Sequence, residues 1–336
     1  MRRFFRVLPL LLLALACAKT TLTPSVRLDF VGANRFTSST RTVSAGDTLA
    51  SKIYAETGDT AVKLRRLRIL LTSSPTRTSV IYPVAGYNPV PDPPLVYLDS
   101  LLPKGTNDLV IVNLLSARTT SGSDLWEYKI TDTLGQSASR AYRLVLRRTD
   151  SLTAVLHSYR AFLSPVPYGS KTLTPAQNRG FAYVGLRQGL LLPHFAVASK
   201  PAVGPNPNQS LVDLVCIATG ADIRLASAAS TNIFPQRSAQ LPTTQLRSTT
   251  LGNANFSTLT TNVLLRAAFD NGSAYGGTGG PFPGDQSVTA PLVKADVIAF
   301  LITDPVTKTQ KYGALFVSDL VRTPTATVTC QVVVEK

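Results

Sequence analysis

An all-β protein of two β-sandwich domains follows from three observations on the 336-residue chain. Short segments that alternate apolar and polar residues, or run in β-branched ones, recur along it with the period of a strand rather than a helix. Clusters of Pro, Gly, Asn, Asp, Ser and Thr separate them, and 23 Pro and 21 Gly leave little room for long helices. Hydrophobic residues make up 44% and charged residues 16%, the balance of a core-forming chain.

The chain opens with "MRRFFRVLPLLLLALACAKTT". Arg2, Arg3 and Arg6 precede an uncharged run over residues 7–18, which carries Pro9 near its start. A membrane-spanning helix needs about 20 apolar residues, so this run is too short to be one. A basic region, a short apolar stretch and small residues after it read as a secretory signal peptide over residues 1–16, which is set aside in reasoning about the fold. Two cleavage readings stand side by side. Ala14, Leu15 and Ala16 form a small-x-small site for ordinary signal peptidase. Cys17, directly behind "LALA", resembles the lipobox of bacterial lipoproteins, which implies a diacylglycerol thioether on Cys17 and residues 17–25 as a tether. Each buried methylene contributes about 0.8 kcal/mol, and two or more acyl chains hold a protein stably on a bilayer. The address expected is the cell envelope, at the outer membrane, with the periplasmic or surface face left open.

Behind the leader lie about 320 residues, enough for two domains with their own cores. The first is expected over residues 26–148. Its strand candidates are "DTLASKIYAE", "KLRRLRILLT", "LVYLDS", "DLVIVNLLSA", "DLWEYKITD" and "SRAYRLVLR", with the Pro-rich "YPVAGYNPVPDPP" as a loop and "TDTLGQS" as a hairpin connection. In "KLRRLRILL", alternation puts Leu67, Ile69 and Leu71 on one face and Arg66 and Arg68 on the other. In "SDLWEYKI", Asp124, Trp126, Tyr128 and Ile130 resemble the start of strand F in immunoglobulin-like or PKD-like domains. That resemblance implies an Ig-like sandwich in which Tyr128 makes the tyrosine corner. Trp126 stands where Ala or Gly is usual and Ile130 where a Cys is usual, so no inter-sheet disulfide forms there. Core packing is the plain role for Trp126, the only Trp in the chain.

The second unit is expected over residues 151–336. Its strand candidates are "TAVLHSYRAFL", "GFAYVGL", "LVDLVCIATG", "DIRLAS", "NVLLRAAF", "ADVIAFLITD", "KYGALFVSDL" and "TATVTCQVVVE", the last three joined as antiparallel neighbours by "PVTK" and "VRTP". The strings "SLVDLVCIATGADIRLASAAS" and "ADVIAFLITDPVTKTQKYGALFVSDL" are similar to the C-terminal region of poorly characterised lipoproteins of Bacteroidota, in which an Ig-like domain precedes a β-rich one. The resemblance brings no reaction and no catalytic residues. "CAKTT" lacks the acidic residues that surface-exposed members carry after the lipidated Cys.

A formal charge of +15 raises the question of nucleic acid. Residues 17–150 hold 17 basic and 11 acidic side chains and residues 151–336 hold 14 and 8, an even excess without the concentrated stripe that a phosphate backbone requires. No nucleic-acid partner is expected; "KLRRLRILL" is a solvated strand face, with attraction to anionic lipid or acidic glycan as its functional version. Cys216 and Cys330 each alternate with apolar neighbours and are expected as buried thiols; the sequence does not place their Cα atoms within bridging distance.

Chemistry is sparse. His157 and His194 belong to no metal-ligand spacing, and neither a nucleophile elbow nor a phosphate loop occurs, so no cofactor and no metal are expected. Paired carboxylates for glycosidic cleavage need only meet in space. Asp213 and Asp296, which interrupt apolar runs, are the first candidates for such a pair. One loop, "FDNGSAYGGTGGPFPGDQS", packs six glycines between Asp270 and Asp285. Long loops of this kind are connectors or contact sites. Trp126, Tyr275, Phe282, Asp270 and Asp285 are therefore the candidate ligand contacts. The function expected is non-catalytic: binding or assembly by a lipid-anchored envelope protein. A glycan-binding lipoprotein of a polysaccharide uptake system is the alternative, and a hydrolase with a cryptic carboxylate pair the third reading.

Overall fold

The computed structural model describes residues 26–79, 90–146, 155–170, 172–198, 205–230, 233–234, 238, 240–276, 282, 284–323 and 325–336. The leader, Cys17, the tether, most of the Pro-rich loop and the boundary expected near residue 150 lie outside them.

The first half lays down β1 (Val26–Phe30), β2 (Arg41–Val43), β3 (Thr48–Thr57), β4 (Leu64–Ser74), β5 (Leu95–Leu101), β6 (Asp108–Ser116), β7 (Gly122–Asp132) and β8 (Ser137–Leu146). They form two sheets, β1-β3-β6 and β2-β8-β7-β4-β5. Strand periodicity explains the pairing: Leu67, Ile69 and Leu71 of β4 and Trp126, Tyr128 and Ile130 of β7 all face the core, leaving Arg66 exposed and Arg68 half-buried on the outer face. Between the sheets Phe30 meets Tyr128 and Tyr142 edge-on, each with centroids 5.3 Å apart. Around that contact the hydroxyls of Ser51, Tyr142 and Tyr128 and the Asn113 amide form a buried polar chain, in which Asn113 Nδ2 donates to Tyr128 at 3.0 Å. The tyrosine corner does not form: Tyr128 is committed to side chains of β6 and β8 rather than to upstream backbone.

The second half contains β9 (Leu156–Leu163), β10 (Val166–Pro167), β11 (Phe181–Gly185), β12 (Leu190–Pro193), β13 (Leu214–Thr219), β14 (Asp222–Ser227), β15 (Thr243–Ser248), β16 (Ser273–Ala274), β17 (Val297–Thr303), β18 (Gln310–Val321) and β19 (Thr327–Glu335). A six-stranded sheet runs β16-β15-β17-β18-β19-β9, and a five-stranded one runs β10-β13-β11-β12 with β14 on β13. Cys216 and Leu214 from the five-stranded sheet and Phe300, Val317, Cys330 and Val332 from the six-stranded one lie in one buried cluster. Both thiols are free and fully buried, and burial pushes both pKa values up. The architecture is all-β, as the sequence predicts.

Among the described residues four short α-helices interrupt the strands: α1 (Pro175–Arg179), α2 (His194–Ala198), α3 (Asn253–Phe256) and α4 (Asn262–Asp270). The segment "NVLLRAAF", expected as a strand, is α4. Thr261 caps it by accepting from Leu264 N, and the side chains it buries, Leu265 and Phe269, stand four apart on one helical face. With α3 it covers the outer face of β17 and β18, which explains why the run Val297–Ile302 is buried on both sides. His194 begins α2 and bonds Asn178 through Nδ1 at 3.0 Å. Among the described residues no helix is long and apolar enough to cross a membrane.

The two sandwiches share a core. The cluster that begins with Val26 and Leu28 runs on through Tyr97 and Trp126 into Tyr183, Leu192, Val197, Val212 and Ile217 of the second half. Tyr97 is the hinge pin: its ring meets Trp126 at 4.8 Å and Phe195 of α2 at 5.5 Å. Thr119 bonds the fully buried His157 at 2.8 Å, and Asn208 donates to Val96 O at 2.7 Å. Gly189 has a left-handed φ of 59°, and a Cβ there would fall 1.6 Å from Thr119 Oγ1, so only glycine lets the halves approach this closely.

Candidate functional site

The side chains singled out in the sequence do not converge. Trp126 is 1% exposed, enclosed by the first sandwich, and offers no ring face to a ligand. Tyr275 packs half-buried against the core of the second sandwich, and Phe282 packs against the shared core, 4.6 Å from Tyr168. Asp270 is exposed at the end of α4. Asp285 accepts from Ser230 Oγ at 2.6 Å and from Ser287 N at 2.9 Å. Partial burial would raise the Asp285 pKa, but these two serines outweigh it and hold it below the usual value. Its bond to Ser230 ties Asp285 to the turn that follows β14. Among the described residues no group of three His, Cys, Asp or Glu side chains is placed to hold a metal ion.

The carboxylate pair also separates. Asp296 is a turn residue whose Oδ2 accepts from Val293 N, immediately before β17. Asp213 is 0% exposed and lies 3.2 Å from Arg187, whose other amine donates to Asp304 just past the far end of β17 at 2.8 Å. A strand rises about 3.3 Å per residue, so Asp296 and Asp304 stand roughly 25 Å apart. Asp213 sits beside Asp304, and hydrolytic pairs require about 5–9.5 Å. The named pair is therefore not a catalytic one.

Asp213, Arg187 and Asp304 form an ion lock that ties the β11–β12 turn to the β17–β18 turn. Burial pushes the Asp213 pKa up, partly offset by Arg187. At Asp304, partial burial is outweighed by N–H donation from Thr307 and Val306 and by Arg187, which hold the pKa at about 2. A depressed carboxylate pKa adds stability above the unfolded value of 3.8 that is lost as pH falls through the folded one. Asp304→Asn is expected to cost about 1 kcal/mol at pH 7, with the cost vanishing toward pH 2. Denaturant melts of both proteins across that range check it; an offset that stays constant with pH would contradict it.

A second lock closes the first sandwich. Arg118 and Asp124, each 2% exposed at the side chain, lie 3.2 Å apart. Arg118 also donates to the carbonyls of Ser74, Thr76 and Ser121, while Asp124 accepts from Ser73 Oγ at 2.7 Å. Gly122, at φ 126°, gives the guanidinium room: a Cβ there would fall 2.4 Å from Arg118 Nη2. These charges are enclosed, and their arrangement holds strands.

What faces solvent is different. On the outer face of β4, β5 and β7 a cleft of about 340 Å³ is lined by Arg65, Arg66, Arg68, Leu101, Lys129 and the hairpin residues Thr131, Asp132 and Gly135. A bulge between Leu64 and Arg66 turns Arg65 and Arg66 outward together, and the register sets Arg68 directly opposite Lys129. Like charges directly opposite repel. Asp99 offsets part of this, binding Arg66 through two bonds of 2.5 and 2.6 Å and approaching Arg68 Nε at 3.5 Å, where no hydrogen bond forms. Asp132 is buried and accepts from Leu134 N and Gln136 N. Four cations against these two carboxylates leave an excess of two positive charges, with Arg65 and Lys129 in no ion pair among the described residues. The sequence shows the arginines as a strand face; it does not show Lys129 joining them, because that depends on the β4–β7 register.

No family model matches the chain, and no curated protein matches it. Among solved structures, a DUF4466 family protein from Parabacteroides merdae is 9% identical, with 93% of this chain and 99% of that one covered, at a TM-score of 0.32. The superoxide reductase (neelaredoxin) of Ignicoccus hospitalis is 10% identical over 36% of this chain and 79% of its own, at 0.19. A β-glucosidase from Listeria innocua is 6% identical over 37% of this chain and 16% of its own, at 0.23. At these scores the likenesses extend neither fold nor function to this chain.

Proposed function

We propose that this is a non-catalytic protein of the cell envelope, attached to the outer membrane by lipid on Cys17, that acts in binding or assembly. The observation that carries the reading is where the charged groups sit. Asp124, Asp213 and Arg118 are enclosed in locks that hold strands together, Asp296 staples a turn, and the cleft on β4, β5 and β7 presents cations to solvent in a form suited to contact rather than bond cleavage.

The first sandwich is read as an Ig-like spacer. Its strand order supports this: β4-β7-β8 stand as C, F and G do in immunoglobulin sheets, β5 adds beside β4 as C′ does, and β1-β3-β6 stand as A, B and E. The second sandwich, fused to it through one core, presents the opposite end of the molecule to partners. Fatty-acid labelling of the wild type and of Cys17→Ser, with membrane fractionation, tests the attachment on which the reading depends.

A further inference from the structure

We propose that the cationic cleft on β4, β5 and β7 docks onto anionic phospholipid headgroups of the membrane to which the chain is anchored, and so sets the angle at which the two sandwiches stand on it. The inference rests on the lipid-anchored reading and adds a second, electrostatic contact to it.

The argument starts from where the chain enters. The first residue of β1, Val26, pairs with Thr57, the last residue of β3. Thr57 N donates to Asn107 O, Lys63 Nζ donates to Asn107 Oδ1, Leu64 N donates to Thr106 O, and Thr133 N donates to Lys63 O. Those bonds gather the β3–β4 connection, the β5–β6 connection and the β7–β8 hairpin at one end of the sandwich, the end at which Val26 enters. The cleft opens there, since Arg65 and Arg66 begin β4 and Gly135 belongs to that hairpin. A tether of residues 17–25 spans at most about 30 Å however it is arranged. The end that carries the cleft is thus the one held next to the headgroups.

Charge complementarity then selects the occupant. A bilayer rich in anionic lipid carries a negative surface potential that attracts basic side chains within about one Debye length, roughly 8 Å at physiological salt. Arg65 and Lys129 have no carboxylate partner among the described residues. The exposed Leu101 at the rim, 73% accessible, is suited to the boundary between headgroups and acyl chains. A single acylated residue fixes only a point; the cleft supplies the second contact that orientation needs.

The test uses the full-length acylated chain in vesicles of phosphatidylcholine alone or mixed with phosphatidylglycerol, with flotation to score attachment and an amine-reactive ester to score exposure. Lys129 labelling is expected to fall about thirtyfold in the anionic vesicles, the size that roughly one kcal/mol per basic residue gives for a net excess of two. Lys294, on the second sandwich, is expected to label equally in both, high salt to restore Lys129 labelling, and Arg65→Glu to abolish most of its protection. A chain that floats with both vesicles but labels equally at Lys129 overturns the headgroup assignment alone. A chain that floats with neither overturns the anchored reading and this assignment with it. Protection of Lys129 in neutral vesicles by soluble alginate would reassign the cleft to acidic glycan, and protection there by inorganic phosphate would make it a small-anion site; either result overturns the proposal.

Discussion

Asp124→Ala is expected to destabilise the protein by about 3–5 kcal/mol, a large share of a typical total of about 5–15 kcal/mol. The size follows from what would remain. Arg118 is 2% exposed and has Asp124 as its carboxylate partner, at 3.2 Å. Burial pushes the Asp124 pKa up, and the pulls of Arg118 and, more weakly, Arg77 work against that rise. Deleting Asp124 leaves two enclosed guanidiniums, one of them Arg77, whose other carboxylate among the described residues, Asp92, is 3.8 Å away. A buried charge without a partner costs far more than the intact pair contributes. Asp124→Asn, which keeps the shape and a hydrogen-bonding oxygen for Ser73, isolates the charge and is expected to lose somewhat less. Urea melts of the three proteins measure both; a cost below about 1 kcal/mol for the alanine variant would mean that water reaches Arg118 and that the lock is not what closes the sandwich.

Trp126 carries the second large effect. Trp126→Ala is expected to cost about 3–5 kcal/mol, and Trp126→Phe no more than about 1.5 kcal/mol. The asymmetry comes from the indole itself: its ring packs edge-on against Tyr97, but its Nε1 is buried without a hydrogen-bond partner. Phenylalanine keeps most of the apolar contact and removes an unsatisfied donor, whose burial costs about 1–3 kcal/mol. Because Tyr97 also touches Phe195, the alanine variant loosens the seam between the sandwiches as well as the core of the first. The same residue, the only Trp of the chain, reports on glycan contact. Its fluorescence is expected to stay unchanged when oligosaccharides are added, and a saturable shift would contradict its enclosed position.

How much of this was legible depends on which interactions are local. Strands β3 to β8 stand close to their expected places because each alternates within itself, as Leu67, Ile69 and Leu71 do, and the hairpins around Gly135 and "PVTK" declare their turns in a few residues. The helix α4 was hidden because Val263, Leu264 and Leu265 are consecutive apolar residues, which read as a buried strand; only Leu265 and Phe269 turn inward. The tyrosine corner failed for a similar reason: the spacing of Asp124, Trp126 and Tyr128 places all three on one face of β7, but the partners of Tyr128 come from other strands. Asp213 looked like a candidate acid because it interrupts an apolar run. Its neighbour Arg187 is 26 residues away in sequence, and Asp304, 117 residues from Arg187, completes the lock. Long-range pairings of this kind leave no periodic trace. The cleft was half legible: "KLRRLR" announces a basic strand face, while Lys129 and the approach of the chain at Val26 come from register and topology.

The claim on which the function rests is the attachment at Cys17, and metabolic labelling with an alkyne fatty acid tests it most directly. The account predicts that the wild-type chain incorporates the label and floats with membranes, and that Cys17→Ser does neither. A wild-type chain that leaves the cell unlabelled and soluble, cleaved after Ala16, would contradict the anchor and with it the proposed place of the protein in the envelope.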